Sequence, residues 1–153
     1  MKAIMISIQP QWVSKILNGE KTIEIRKTMP KCELPCKVYI YCTKGKKLYK
    51  CVSNFDEDLL NGKVVAEFSL NKIYTLERDL NDWLPKNRYD ISNELIKDIN
   101  LNQEQLWNYG QGKILYAWHI DDLKIYDKPK ELSEFKVKRA IQSWCYVEEL
   151  ENE

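Results

Sequence analysis

Apolar positions recur along this chain at two spacings, and the changes between them mark out its elements. Residues 3–8 are almost entirely apolar, which predicts a buried first strand. Pro10 suits the first turn of a helix. Trp12, Val13, Ile16 and Leu17 then make an apolar stripe at helical spacing until Asn18-Gly19 ends it. From Thr22 the period drops to two, with Ile23 and Ile25 on one face and Thr22, Glu24 and Arg26 on the other. Pro30 and Pro35 bracket a kinked connection. Residues 37–43 alternate again, Val38, Ile40 and Cys42 opposite Tyr39, Tyr41 and Thr43, and residues 63–74 read as one long strand with Val64, Ala66, Phe68 and Leu70 on one face.

The rest of the chain mixes both periods. Lys44-Gly45-Lys46-Lys47 predicts a basic turn, residues 51–62 a loop with a short helical turn, and residues 77–90 an irregular stretch. A helix is predicted over 92–99. A second starts at Asn102, where Gln105 completes a capping box, Leu101 can staple Leu106, and Gly110 and Gly112 stop the run. Residues 113–126 are strand-like with a break at Asp121-Asp122. Pro129 opens a short turn or helix, residues 144–148 form a last strand, and the tail beyond is acidic. Short strands with interspersed helices and no regular βαβ alternation predict an α+β domain.

Composition narrows the class. The 153 residues, 44% hydrophobic, suffice for one domain with a sizeable core. No apolar run approaches the roughly 20 residues of a membrane helix and no leader pattern opens the chain, so the expectation is a cytoplasmic protein with no membrane partner. Five cysteines are an odd number and argue against a secreted disulfide framework. The spacings between Cys32, Cys36, Cys42 and Cys51 fit no zinc ribbon or finger, and His119 is the single histidine. Neither a metal nor any other cofactor is expected. The net charge of +1 hides an asymmetry, since residues 1–50 carry +8 and residues 51–153 carry −7. A basic N-terminal third attracts polyanions; it is also compatible with a merely dipolar surface.

The densest chemistry lies in Gly19-Glu20-Lys21-Thr22-Ile23-Glu24-Ile25-Arg26. Gly19 can take the left-handed conformation that closes a helix. Lys21 stands at the mouth of the strand whose polar face carries Thr22, Glu24 and Arg26. Such a group is either an ion-pair network or a ligand site in which arginine holds an oxygen and the lysine–glutamate pair moves protons. The spacing G-x-K-x-x-E-x-R resembles the signature of the ASCH domains, small members of the PUA-like β-barrels. Gly62-Lys63-Val64-Val65-Ala66-Glu67-Phe68, residues 115–120 and Gln142-Ser143-Trp144 resemble the same family, so the likeness covers almost the whole chain. It implies a single ASCH domain over 1–153, a PUA-like mixed β-barrel flanked by helices, with a helical insertion around 77–110. It also places the motif at the wall of a central cleft.

Three readings of function result, the first two implied by that resemblance and the third by the acidic C-terminal two-thirds or the insertion as a partner surface. The first is binding of RNA or a modified nucleotide. Arg26, Thr22 and Lys27 would contact the ligand at the cleft, Lys44, Lys46 and Lys47 would hold phosphates, and Tyr41 and Trp144 would stack on bases. Gln142 and Ser143 would bond a base edge or else cap a turn. Trp12, Tyr39 and Trp118 should border the cleft as well. The second is hydrolysis. A branch of the family removes the acetyl group from N4-acetylcytidine and other members are linked to RNA cleavage. Lys21 would match the catalytic lysine, whereas Glu24 stands where that branch has a threonine, and Glu67 could supply a second carboxylate. In that case Lys21 and Glu24 would be the catalytic pair. The third is a protein-interaction module.

Overall fold

The structure, a computed structural model, describes residues 2–44, 60–81 and 87–151. Lys46, Lys47, Cys51 and Trp83 lie outside the described residues. The described elements are β1 (Lys2–Ile8), α1 (Pro10–Leu17), β2 (Ile23–Arg26), β3 (Cys36–Cys42), β4 (Lys63–Leu70) and β5 (Ile73–Leu76). They continue with α2 (Asn93–Ile99), α3 (Gln103–Gly110), β6 (Leu115–His119), β7 (Asp121–Lys130), a 3-10 turn at Leu132–Phe135 and β8 (Trp144–Glu148). No helix among the described residues is long and apolar enough to cross a membrane.

Among the described residues eight strands form two sheets, so the architecture is mixed α+β. The larger sheet has the order β7-β4-β3-β1-β8 and the smaller β2-β6-β5. β1 and β3 run parallel and every other pairing is antiparallel. The strand pairings join no strand of one sheet to the other among the described residues. Among the described elements, four connections pass between the sheets instead, β1 to β2 through α1, β2 to β3, and more directly β4 to β5 and β6 to β7. The stretch expected as one strand over 63–74 bends at Asn71-Lys72 and leaves the larger sheet for the smaller as β4 and β5. The expected break near Asp121-Asp122 is the return crossing, from β6 to β7, with Asp122 at φ 51°.

Three apolar layers result. Ile4, Ile6, Ile8, Val38, Ile40 and Phe68 from the larger sheet meet Trp118 of β6, and α1 adds Val13, Ile16 and Leu17. On the larger sheet's opposite face, Ala3, Met5, Tyr39, Tyr41 and Val64 pack under Phe135. A bulge at Ile40/Tyr41 pairs Ile40 with Ala66 and Tyr41 with Val64, so Val65 is extra. Val64 and Ala66 therefore face opposite cores rather than sharing the face that alternation assigned them. On the smaller sheet's outer face, Ile23, Ile25, Leu115 and Ala117 lie beneath Ile99 and Leu106 of α2 and α3.

Local chemistry explains the helix ends. Ser92 caps α2 through the Leu95 amide, and Asn102 with Gln105 forms the expected capping box on α3. Gly110 does not stop α3 as expected. It is the last helical residue, and Gln111 (φ 52°) and Gly112 (φ 82°) make the left-handed turn beyond it. A Cβ on Gly110 would lie 2.1 Å from the Tyr89 hydroxyl oxygen, so this glycine is required by close approach. Pro129 lies within β7 instead of opening a turn, and the 3-10 turn begins at Leu132.

Candidate functional site

Three elements converge on Lys21. α1 ends at Asn18, Gly19 follows at φ 86°, and the Lys21 amide then bonds back to the Lys15 carbonyl at 3.1 Å. Thr22 is held by its backbone, its amide to Asp98 O at 2.9 Å and its carbonyl to the Ile120 amide at 2.9 Å. The Lys21 side chain, 2% exposed, donates to the carbonyl of Ile99, the last residue of α2, at 2.5 Å. That carbonyl is among those a helix end leaves without intrahelical partners, and a helix C-terminus favours a cation. Its ammonium also lies 3.7 Å from Glu24 Oε1 and 5.5 Å from the centre of the Trp12 ring. Burial lowers the Lys21 pKa below its ordinary 10.5, against the opposing pull of Glu24. The amine is thus brought closer to its proton-accepting form.

Glu24 joins Lys21 to Arg26. Its Oε2 accepts from Arg26 Nη2 at 2.8 Å and its Oε1 from the Ile25 amide at 3.2 Å. Arg26 Nη2 also donates to Ser7 O at 2.6 Å, which ties β2 of the smaller sheet to β1 of the larger. Both described bonds of Arg26 run through Nη2, so the rest of the guanidinium is available to a ligand. The three side chains form the floor of a cavity of about 520 Å³, a size that suits a small-molecule ligand. Ser7, Gln9, Trp12 and Gln142 line one part of it, and Leu101, Gln105, Asn108 and Tyr109 of α3 and its approach line another.

The structure separates the remaining sequence candidates. Gln142 lines the cavity, whereas Thr22, Lys27, Ser143, Trp144 and Lys44 do not. Ser143 acts through its carbonyl, which accepts from the Ser7 amide at 2.7 Å. Trp144 is half-buried, bonds Thr28 Oγ1 at 2.9 Å and meets Trp118 edge-on, so its ring is engaged in packing. Lys44 is exposed, with its carbonyl held by Asn61 at 2.9 Å. Tyr41 corrects the expectation of a stacking residue. It is 1% exposed because the strand face opposite the central core is itself covered, by Phe135 and Tyr126. Tyr39 lies in the same layer and Trp118 in the central one.

Glu67 also differs from expectation. It faces the outer side of the larger sheet, bonded to Tyr126 Oη at 3.1 Å and Lys37 Nζ at 3.0 Å, away from the motif. Lys27 is exposed beside the cavity, its ammonium 4.7 Å from the centre of the Tyr109 ring. Tyr109, Asn108 and Gln105 were missed by sequence reasoning, which treated their helix as an insertion. The one available signal was an aromatic at 109 outside the helix's apolar stripe. Cys32 and Cys36 are free thiols with sulfurs 3.2 Å apart, and burial beside Cys32 raises the Cys36 pKa to about 12. No cluster of metal-ligating side chains occurs among the described residues.

This fold is known. The chain is similar to the crystal structure of ASCH from Zymomonas mobilis, with a TM-score of 0.64 and 19% identity over 95% of this chain and 87% of that one. It is similar also to a tyrosine-to-phenylalanine mutant of that protein, with a TM-score of 0.63 at 19% identity over 97% and 91% of the two chains. A serine-to-alanine mutant gives 0.62 at 19% identity over 95% and 88%. The protein has the ASCH fold. No protein-family model and no curated protein matches the sequence.

Proposed function

We propose that this ASCH-fold chain is a cytoplasmic protein that binds an RNA base or a modified nucleotide in the Lys21–Glu24–Arg26 cavity, its two sheets being the halves of a PUA-like barrel. One observation carries this reading: a buried lysine–glutamate pair joined to the partly exposed Arg26 forms the floor of an open cavity that has aromatic side chains in its walls. A purely structural ion network needs no cavity above it. Here the available face of Arg26 supplies donors to a ligand oxygen, while Trp12 and Tyr109 offer rings to a planar base. Binding of short RNA and of nucleosides, N4-acetylcytidine included, tests it by equilibrium titration. Arg26→Ala should weaken whichever ligand is retained by about tenfold or more. Retention of none of them by the wild type at low salt rejects the reading.

A second reading, hydrolysis, is favoured by the lowered Lys21 pKa. An amine whose pKa is lowered by burial, 3.7 Å from a carboxylate, releases its proton more readily than a free lysine, and once neutral it can take a proton from water as water adds to an amide carbonyl. With N4-acetylcytidine the bond from the acetyl carbon to N4 would break, giving acetate and cytidine. Glu24 replaces the threonine of the family's amidohydrolases, so it would orient Lys21 and the water. Lys21→Ala should abolish cytidine release. A wild type that binds the nucleoside but releases no cytidine would leave a binding protein.

A further inference from the structure

The cavity has a directional arrangement of donors that the triad alone does not explain. On its floor, Arg26 leaves part of its guanidinium unbonded to described residues. Tyr109 stands on the α3 wall, 39% exposed, with its hydroxyl beside the Lys27 backbone and within the fields of both Arg26 and Glu24. Lys27 follows Arg26 directly and places its ammonium 4.7 Å from the Tyr109 ring centre. No carboxylate forms a salt bridge with Lys27 among the described residues, whereas Lys21 and Arg26 both share Glu24. A guanidinium and a phenol thus line the cavity, and an exposed ammonium outside the lining lies against the phenol ring. All can donate, and two carry positive charge.

We propose that Arg26, Tyr109 and Lys27 form a phosphate subsite, so that the cavity's ligand is a phosphorylated nucleotide rather than a free nucleoside. A phosphate has acceptor oxygens in several directions, and charge-assisted bonds from arginine and lysine to it are short and strong. Within the triad, Glu24 balances one of the two cations on the floor; the other, together with Lys27, leaves an excess of two positive charges for the incoming group. Lys27 is braced against the Tyr109 ring by a cation–π contact, which reduces the ordering that binding would require. The helix α3 therefore contributes selectivity through one side chain, and β2 contributes the rest through its last residue and the next. This rests on the nucleotide reading of the cavity and narrows it.

The experiment is a calorimetric titration of the full chain with the four common ribonucleosides and N4-acetylcytidine. Each is compared with its 5′-monophosphate, and dinucleotides with a single internal phosphodiester are added. For any base that binds, the 5′-monophosphate should bind about tenfold or more tightly than the nucleoside. That ratio should shrink as salt rises. It should fall below about threefold in both Lys27→Ala and Tyr109→Phe, changes at an exposed residue and of a single hydroxyl that leave the packing in place. A dinucleotide preferred over the monophosphate identifies the phosphate as that of a chain, and the reverse identifies a free nucleotide; either outcome supports the subsite. Equal affinity for nucleoside and monophosphate overturns the subsite while the base-binding reading stands. A ratio unmoved by both variants also overturns it. If no nucleoside, monophosphate or dinucleotide binds, the subsite falls, and failure to retain short RNA at low salt as well brings down the base-binding reading with it.

Discussion

The behaviour of Lys21 follows from where its ammonium sits. It has one carbonyl at 2.5 Å, a carboxylate at 3.7 Å and an indole face at 5.5 Å, and almost no water. Desolvation outweighs the pull of Glu24, so the folded pKa lies below the ordinary 10.5. Between the folded pKa and 10.5 the unfolded chain holds a proton that the folded chain has released. Stability from this group therefore rises with pH across that window and levels off above it. Lys21→Met lacks the ionisable group. The unfolding free energy of the wild type relative to that variant should increase from pH 7.5 to pH 10, as measured by urea titration at each pH. A flat or falling difference would mean that the ion pair with Glu24 dominates over burial.

At the scale of elements, α3 is both a packing helix and a wall of the cavity. Asn102 caps it reciprocally with Gln105, so Asn102→Ala should cost about 1 kcal/mol of stability by thermal or urea unfolding. Gly110→Ala is the sharper change. A Cβ there meets the Tyr89 hydroxyl, which bonds Lys113 O at 2.7 Å, and Leu115 Cδ1 at 2.9 Å. Two displaced neighbours in a filled layer should cost about 1–3 kcal/mol. Hydrogen exchange should show the loss concentrated in α3 and β6, and uniform loosening would contradict that assignment. Much of this element was legible in sequence. The capping box and the apolar stripe are local signals read within a few residues. The role of Tyr109 was not legible, because it depends on β2 lying beside α3.

At the scale of the molecule, the two sheets share a core without pairing their strands among the described residues, and Trp118 lies in that core. It is fully buried, donates from Nε1 to Thr28 O at 3.3 Å and meets Trp144 at 5.8 Å between ring centres. Trp118→Ala should destabilise by about 3–5 kcal/mol. The loss should appear in a single transition, with far-UV circular dichroism and tryptophan fluorescence coinciding. Separate transitions would show that the smaller sheet and its helices are an independent unit. The Arg26 bond to Ser7 O also spans the sheets, so the site and the joint between them are one structure.

Sequence by itself determined the helix α1 with its glycine stop, the alternation of β2, the span of α2, the capping box of α3, and the grouping of Lys21, Glu24 and Arg26. Each depends on backbone geometry and near neighbours along the chain. Tertiary structure decided what each face meets. A strand with a tyrosine face opposite an apolar one looks half-exposed, yet Tyr41 is buried because a third layer covers it. Period-two reading could not place the bulge at Val65, which changes which core Val64 enters. Nor could it show that the helices at 93–99 and 103–110 complete the site, one giving Lys21 its carbonyl and the other the wall that carries Tyr109. The bond from Lys21 to Ile99 joins residues 78 positions apart in the chain, and only packing brings them together.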